Sequence, residues 1–285
     1  MRLARYVLDG LQGVAAAGTN GAFYGLTVHD EGFPGDIDEL VAQGPAALAA
    51  AAMTCLKGKP IDLERAFLLP PLARPGKILC IGLNYADHSA EFEALVPDYP
   101  VVFARFHSGL IGHGDIIERP RISNKLDYEG EFVAVIGKRG KHIAHADALD
   151  HVIGYSLFND VSVRDYQMRT PQWTIGKNFD RSGPFGPWLM TADELPAGCK
   201  GLRLRTRLNG AVVQDASTDD MIFDVATLVA TLSEGLTLEP GDMIVTGTPA
   251  GVGGARTPPL WMKDGDIVEV ELDGFGTLRN SVRDE

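Results

Sequence analysis

Three carboxylates are spaced so that they can bind one metal ion. Glu129 and Glu131 lie two residues apart at the start of the apolar run 132–136. Asp160 follows a second apolar segment, residues 152–158. Side chains at positions i and i+2 of a strand point to the same face, so Glu129 and Glu131 are expected to project together. Asp160 meets them if the two segments lie side by side.

Three oxygen donors of this kind suit a hard divalent cation. Mg²⁺ and Mn²⁺ prefer carboxylate oxygens, whereas zinc usually takes nitrogen or sulfur. On the residues alone an alternative stays open. Glu129 and Glu131 can equally form the solvent-facing side of a half-exposed strand, with Asp160 as a turn residue.

His88 and Glu91 are spaced to act as a pair. Three residues apart, they share one face of a helical turn, where the carboxylate can orient and charge-stabilise the imidazole. An imidazole held in this way is a general base able to activate water near neutral pH. A surface ion pair without catalytic role has the same spacing and stays an alternative. The following residues contain two prolines and no clear apolar period, so residues 88–100 are expected to be poorly ordered without ligand.

The composition of the 285-residue chain narrows the class of protein. It is 45% hydrophobic and 22% charged, and its 26 basic and 38 acidic residues give a net charge of −12. This charge argues against nucleic-acid and anionic-membrane partners, so an anionic substrate must be drawn in by a local cation. The widely spaced Cys55, Cys80 and Cys199 indicate buried thiols in a reducing cytoplasm. No secretory signal is expected, and a Gly-Pro pair interrupts the Ala-rich stretch 40–56 too early for a membrane span.

Strand patterns dominate the chain, so we expect an α+β, mainly β fold. Residues 1–72 are interpreted as a small N-terminal α/β domain that ends in a proline-rich junction. Residues 73–285 are interpreted as a larger catalytic domain. The absence of a regular βαβ alternation speaks against a Rossmann or TIM architecture.

Two elements of the larger domain are predicted in detail. In the segment 202–214, apolar residues alternate with arginines around Asn209-Gly210, a pair that favours a type I′ turn. This predicts a hairpin with its arginines in solvent. Apolar residues from Met221 to Leu232 recur at helical spacing, which predicts a helix that starts after Ser217 or Thr218.

Five motifs in order resemble those of the fumarylacetoacetate hydrolase family. Together they cover roughly residues 75–285. They are GLNYADHSAEF at 82–92, DYEGEFVAVIGKRG at 127–140, GYSLFNDVSVRDYQ at 154–167, QWTIGKNFDRSGPFGPW at 172–188 and VTGTPAGVG at 245–253.

The resemblance implies a mixed β-roll with a metal site in its open mouth, in a protein that is usually a homodimer. It implies Mg²⁺, or alternatively Mn²⁺, held by Glu129, Glu131 and Asp160. It also implies that His88 and Glu91 are the catalytic dyad and lie on a mobile lid.

The resemblance further implies four residues that contact the substrate. A lone lysine is usually solvated, but the family pattern places Lys177 in the cavity, where its charge can stabilise an oxyanion or enolate. Gln167 corresponds to a position that binds substrate or the attacking water. The hydroxyl of Thr248 can hold a carboxylate, although a strand-terminating turn explains the same residue. Arg105 occupies a position where relatives often have a basic residue.

From these residues we expect a Mg²⁺-dependent hydrolase that cleaves the C–C bond of a 2,4-diketo acid, or acylpyruvate. The subgroup pattern points to a 2,4-diketo-3-deoxy sugar acid such as the L-rhamnonate derivative, giving pyruvate and a hydroxy acid such as lactate. Two alternatives use the same metal without water: oxaloacetate decarboxylation and isomerisation of 2-hydroxyhepta-2,4-diene-1,7-dioate. A non-catalytic ligand-binding protein of the same fold is a more remote alternative.

Overall fold

The computed structural model describes residues 1–63, 65–91 and 97–285, and strands make up most of its regular structure. The strands of these residues, β1 to β19, are Arg2–Leu8, Leu11–Ala17, Phe23–Thr27, Lys59–Ile61, Phe67–Leu69, Ile78–Gly82, Val101–Arg105, Leu110–Ile111, Ile116–Arg119, Leu126–Asp127, Gly130–Ile136, Val152–Asn159, Ser162–Val163, Gly183–Thr191, Arg203–Leu208, Ala211–Ser217, Met243–Val245, Ile267–Leu272 and Gly276–Asp284. The α-helices, α1 to α6, are Ile37–Gln43, Pro45–Cys55, Ala86–Glu91, Arg164–Gln167, Thr174–Lys177 and Val225–Gly235. The expected mainly β fold is confirmed.

A large sheet runs in the order β4-β3-β2-β1-β14-β12-β11-β17-β6-β7. Strand β1 pairs antiparallel with β14, with Arg2 opposite Met190, so the first 72 residues and the rest of the chain share this sheet. A separate domain boundary at residue 72 stays a prediction. Strand β2 was not predicted, because the small residues of LQGVAAA carry little alternation.

The central strands β11 and β12 are buried on both faces, which explains why they are almost wholly apolar. On one face, Phe132 and Ala134 pack in a core cluster with side chains of a second sheet. On the other face, Val133 and Val135 pack in a cluster that includes helices α1 and α2. Both faces are therefore filled by core packing. Glu129, Glu131 and Asp160 lie at the ends of these two strands.

The second sheet has the order β16-β15-β18-β19-β9 and contains the predicted hairpin. Asn209 and Gly210 both have positive φ, 51° and 81°, which is the backbone of the predicted type I′ turn. The leucines of β15 are buried, and its arginines lie on the outer face, half-buried or exposed. There Arg203 pairs with Asp215 and Arg205 with Asp273. This hairpin is confirmed.

Helix α6 begins later than the sequence predicted. Asp224, not Ser217, is its N-cap and accepts the backbone N–H of Thr227 at 2.9 Å. Ser217 caps the preceding short 3₁₀ turn instead, in a reciprocal capping box with Asp220. Two capping residues lie seven positions apart, and the spacing of apolar residues alone does not tell which of them starts the α-helix.

The Ala-rich segment forms helices α1 and α2, which meet at Gly44. The predicted break at the Gly-Pro pair is therefore correct. Among the described residues, no helix is long and apolar enough to cross a membrane.

Candidate metal centre and active site

The three predicted carboxylates meet at the ends of strands β11 and β12. These strands pair antiparallel with Gly130 opposite Asn159, which puts Glu129 beside Asp160. The backbone N–H of Asp160 donates to the Glu129 carbonyl at 2.8 Å. One carboxylate oxygen from each of Glu129, Glu131 and Asp160 lies within 4.8 Å of the others. The three residues are at most 5% exposed, so the solvent-facing alternative does not apply.

Buried cations hold two of the three carboxylates. Lys177 Nζ donates to Glu129 Oε2 and Asp160 Oδ2, both at 2.7 Å. Arg164 Nη1 lies 2.6 Å from Glu129 Oε1. Glu131 Oε2 accepts the backbone N–H of Gly247 at 2.5 Å. Charged hydrogen bonds of this kind fix the carboxylates in place before any ligand arrives.

Burial and neighbouring charges affect the pKa values of Lys177 and Glu131 differently. Burial acts to lower the pKa of Lys177, but the charges of Asp160 and Glu129 outweigh it and raise the pKa, so Lys177 stays a cation. Burial, and then the charges of Asp160 and Glu129, raise the pKa of Glu131 well above its ordinary 4.5. The cluster thus holds more negative charge than its surroundings stabilise.

The donor set fits a hard divalent cation. It consists of three buried carboxylates without nitrogen or sulfur, and a cation between them would relieve the repulsion that acts on Glu131. Glu129, Glu131 and Asp160 are therefore the residues that would hold Mg²⁺ or Mn²⁺. A metal site of this kind is possible on the geometry, and the identity of the ion stays a prediction.

The raised pKa of Glu131 predicts how the free energy of unfolding changes with pH. In chelator at neutral pH, we expect Glu131→Gln to be more stable than the wild type. A carboxyl whose folded pKa is raised destabilises the native state above that pKa and not below its unfolded value of 4.5. The advantage should therefore shrink as the pH falls towards 4.5, as measured by urea unfolding in chelator. Equal stability at pH 7 would show that the pKa of Glu131 is not raised in the folded protein.

The cluster opens onto a pocket of about 390 Å³. Glu129, Arg164, Gln167, Lys177 and Thr248 are its polar wall. The remaining wall is mainly apolar and consists of Ile81, Leu83, Phe103, Met168, Trp173 and Trp261, with Gly82 and Gly254. A polar floor beside an apolar wall is typical of a site for a small organic anion.

Two short helices bring Lys177 and Gln167 together. Helices α4 and α5 pack backbone to backbone, since a Cβ on Gly176 would lie 2.3 Å from the Gln167 nitrogen. The residue before Lys177 therefore has to be glycine. Both predicted residues line the pocket, as does Thr248. The Thr248 hydroxyl donates to the Gly130 carbonyl at 3.0 Å and accepts from a neighbouring amide side chain.

Arg105 lies behind the pocket wall. Its side chain is 1% exposed, and its guanidinium donates to Asp160 Oδ1 and, at 2.6 Å, to Ser182 Oγ. It lies behind the carboxylate cluster and is not part of the pocket wall. Its contacts fit a residue that orients Asp160, and the predicted substrate contact of Arg105 stays a prediction.

The sequence interpretation missed Arg164 and Asp127. Arg164 lines the pocket, and its Nη1 donates to Gln167 Oε1 at 2.9 Å. Its Nε donates to Asp127 Oδ2 at 2.8 Å. The signal was the pair Arg164 and Gln167, three residues apart in RDYQ, which places both on one face of a helical turn.

The predicted dyad lies at the edge of the described structure. Helix α3, Ala86–Glu91, gives His88 and Glu91 the expected helical spacing. Glu91 Oε1 accepts the backbone N–H of Gly251 at 2.8 Å. The His88 side chain and the lid residues 92–96 lie outside the described part of the chain.

The fold and the site define a class: a β-rich protein with a buried three-carboxylate cluster at the ends of two paired strands. The family model Fumarylacetoacetate (FAA) hydrolase C-terminal matches residues 77–283. The chain therefore belongs to the fumarylacetoacetate hydrolase family, as its motifs predicted.

Relatives within the family give a finer comparison. The mitochondrial oxaloacetate tautomerase fahd2 of Xenopus laevis is 42% identical over 261 residues, covering 90% of this chain and 81% of its own. The oxaloacetate tautomerase YisK of Bacillus subtilis is 41% identical over 265 residues, covering 88% of each chain.

Solved structures agree on the fold. The fumarylacetoacetate hydrolase of Exiguobacterium antarcticum matches with a TM-score of 0.83 at 35% identity, covering 100% of both chains. The 2-hydroxyhepta-2,4-diene-1,7-dioate isomerase of Mycobacterium marinum matches with a TM-score of 0.75 at 32% identity, covering 100% of this chain and 99% of its own. The names of these relatives favour the alternatives over the expected hydrolysis of a sugar acid.

Proposed function

We propose that this protein is a Mg²⁺- or Mn²⁺-dependent tautomerase that interconverts the keto and enol forms of a small 2-oxo acid, with oxaloacetate as its first candidate substrate. One observation carries the proposal: a buried three-carboxylate cluster with Lys177 at the floor of a pocket, in a chain 42% identical to an oxaloacetate tautomerase. Decarboxylation of oxaloacetate is closely related, since both reactions develop negative charge on the 2-oxo oxygen. Tautomerisation passes through the enolate of oxaloacetate, and decarboxylation, which releases CO₂, passes through the enolate of pyruvate.

Charge supports a metal-dependent site for a dianion. Four buried carboxylates, Asp127 with the three of the cluster, face three cations, Arg105, Arg164 and Lys177. With all four carboxylates ionised and no metal, this region carries one net negative charge and repels a dianion. A divalent cation held by Glu129, Glu131 and Asp160 would reverse the sign and would supply the positive charge that makes the carbon beside the 2-oxo group acidic.

The chain's own residues then divide the remaining work. Arg164 and Gln167 present their side chains to the pocket, where they can orient a substrate carboxylate. Lys177 stays charged and so stabilises negative charge on the 2-oxo oxygen, but it cannot accept the proton that leaves C3. A separate base is required, and we assign that role to His88, oriented by Glu91.

His88→Ala tests this assignment. We expect the catalysed rate of enol-to-keto conversion of oxaloacetate, followed by loss of enol absorbance, to fall about 10²–10⁴-fold, the usual contribution of general base catalysis. Mn²⁺ binding should be unchanged, because the metal belongs to the carboxylate cluster. Glu91→Gln should lose less activity, since glutamine still accepts the Gly251 N–H.

The same assays compare the reactions directly. If the Mn²⁺-loaded wild type left the enol decay at its spontaneous rate but released pyruvate from acylpyruvates, the tautomerase proposal would be wrong and the hydrolase interpretation would return. Pyruvate formed from oxaloacetate, measured in the same samples, reports decarboxylation.

A second candidate is isomerisation of 2-hydroxyhepta-2,4-diene-1,7-dioate. The apolar pocket wall, which includes Trp173 and Trp261, favours it, because a seven-carbon chain extends further along that wall than a four-carbon one. A change in dienoate absorbance on adding enzyme and Mn²⁺ would support this activity. The homodimer, the cytoplasmic location and the absence of nucleic-acid and membrane partners stay predictions.

A further inference from the structure

Asp127 is a fully buried carboxylate at the junction of three segments. Its Oδ1 accepts the backbone N–H groups of Tyr128 at 2.9 Å and Gly253 at 2.7 Å. Its Oδ2 accepts the Gly254 N–H and the Arg164 Nε, both at 2.8 Å. A carboxylate that binds two amides of one turn and the guanidinium of another element fixes their relative position.

The short strands β10 and β13 bring Asp127 and Arg164 together. They pair antiparallel with Leu126 opposite Val163 and Asp127 opposite Ser162, so Arg164, the first residue of helix α4, lies diagonally across from Asp127. The backbone N–H of Arg164 also donates to the Lys125 carbonyl at 3.0 Å. The contact between the two side chains is therefore set by the backbone register.

The glycine-rich turn 251–254 closes tightly on the same carboxylate. A Cβ on Gly253 would lie 2.6 Å from Asp127 Oδ1 and 2.0 Å from the Leu260 carbonyl oxygen. Only glycine allows this approach. The turn also reaches the predicted dyad, because its Gly251 N–H donates to Glu91 at 2.8 Å.

Two series of contacts thus start at Asp127. One passes through Arg164 to Glu129 Oε1, 2.6 Å from Nη1. The other passes through the turn 251–254 to Glu91 on helix α3. Asp127 connects the carboxylate cluster with the helix that carries the dyad.

We propose that Asp127 is a positioning residue that sets the guanidinium of Arg164 against Glu129 and holds the turn 251–254 in place. The proposal rests on the proposed function insofar as Glu129 is a metal ligand. An asparagine here would point an NH₂ donor at another donor, either a turn N–H or Arg164 Nε. The charge of Arg164, no longer shared with Asp127, would then act on Glu129 and weaken its hold on a cation.

Asp127→Asn tests this, with Mn²⁺ affinity measured by calorimetry in the absence of substrate. We expect the Kd for Mn²⁺ to rise and kcat for tautomerisation to fall, each by about 10–100-fold. Asp266→Asn is the matched control. Asp266 is also buried and accepts a turn N–H, from Lys263 at 2.9 Å, and the Asn209 amide, but away from the cluster. The Asp266→Asn substitution should lower the unfolding temperature as Asp127→Asn does, and it should leave the Mn²⁺ affinity unchanged.

A double-mutant cycle tests whether Asp127 acts through Arg164. The double variant Asp127→Asn, Arg164→Gln should have the Mn²⁺ affinity of Arg164→Gln alone, because the two substitutions remove one interaction. Losses that add, or a Mn²⁺ affinity that Asp127→Asn leaves unchanged, would overturn the proposal. If the tautomerase proposal alone were wrong, Mn²⁺ binding would still respond as described.

Gly254→Ala keeps the experiment decisive if Asp127→Asn does not fold. Its added methyl would lie 3.1 Å from Asp127 Oδ2 and so displaces the carboxylate slightly while leaving its charge. A smaller fall in Mn²⁺ affinity is expected. Wild-type affinity in this variant would count against the role of Asp127.

Discussion

The Asp160→Asn variant is expected to fold, to bind no Mn²⁺ at concentrations that saturate the wild type, and to show no tautomerase activity above the spontaneous rate. Asp160 supplies one of three anionic oxygens of the cluster, and asparagine removes its charge at nearly constant volume. The same carboxylate binds Arg105 and Lys177, so its loss removes the buried carboxylate that pairs with Arg105. Removing one partner of a buried ion pair costs about 3–5 kcal/mol. Calorimetric titration with Mn²⁺ and urea unfolding measure the two effects.

The control variant Asp242→Asn distinguishes a general loss of stability from the loss of a metal-binding carboxylate. Asp242 is also fully buried and accepts the amide and ammonium groups of Lys77, but it lies at the opposite end of strand β17 from the pocket. Its replacement should lower stability and preserve Mn²⁺ binding and activity. Turnover like that of the wild type in Asp160→Asn, in metal-controlled buffer, would exclude the three-carboxylate centre.

Lys177→Met is expected to lose most activity and to make the protein depend on metal for its stability. Without the ammonium, Glu129 and Asp160 lose the cation that bridges them, which should cost about 3–5 kcal/mol in chelator. A bound divalent cation replaces much of that charge. Saturating Mn²⁺ should therefore raise the unfolding temperature of Lys177→Met more than that of the wild type, as measured by differential scanning calorimetry. The methionine fills the pocket floor but cannot stabilise an oxyanion.

Lys77→Met provides the comparison for this effect. Lys77 Nζ also binds a buried carboxylate, Asp242 at 2.6 Å, but that carboxylate is not part of the cluster. The Mn²⁺-induced rise in its unfolding temperature should equal that of the wild type. An equal rise in all three proteins would mean that Lys177 does not compensate the charge of the metal ligands.

Part of the site and of the fold could be predicted from the sequence, because local backbone geometry determines these parts. The i, i+2 spacing of Glu129 and Glu131 on a strand predicted that these two side chains project together, and the family resemblance added Asp160 as the third member of the cluster. The type I′ hairpin at Asn209 follows in the same way, since a two-residue turn sets the register of its strands. In each case the determining interaction spans a few residues or adjacent strands.

The tertiary structure alone decided which cations face the substrate and which support the cluster. Arg105 and Arg164 are the same residue type. Arg164 lines the pocket, whereas Arg105 lies behind Asp160. The pairing of β1 with β14 joins residues nearly two hundred positions apart, and no local pattern encodes it. The direction of a long side chain and the partner of a distant strand depend on how the whole core packs. Periodicity fixes which face a residue occupies, but only packing decides what that face contacts.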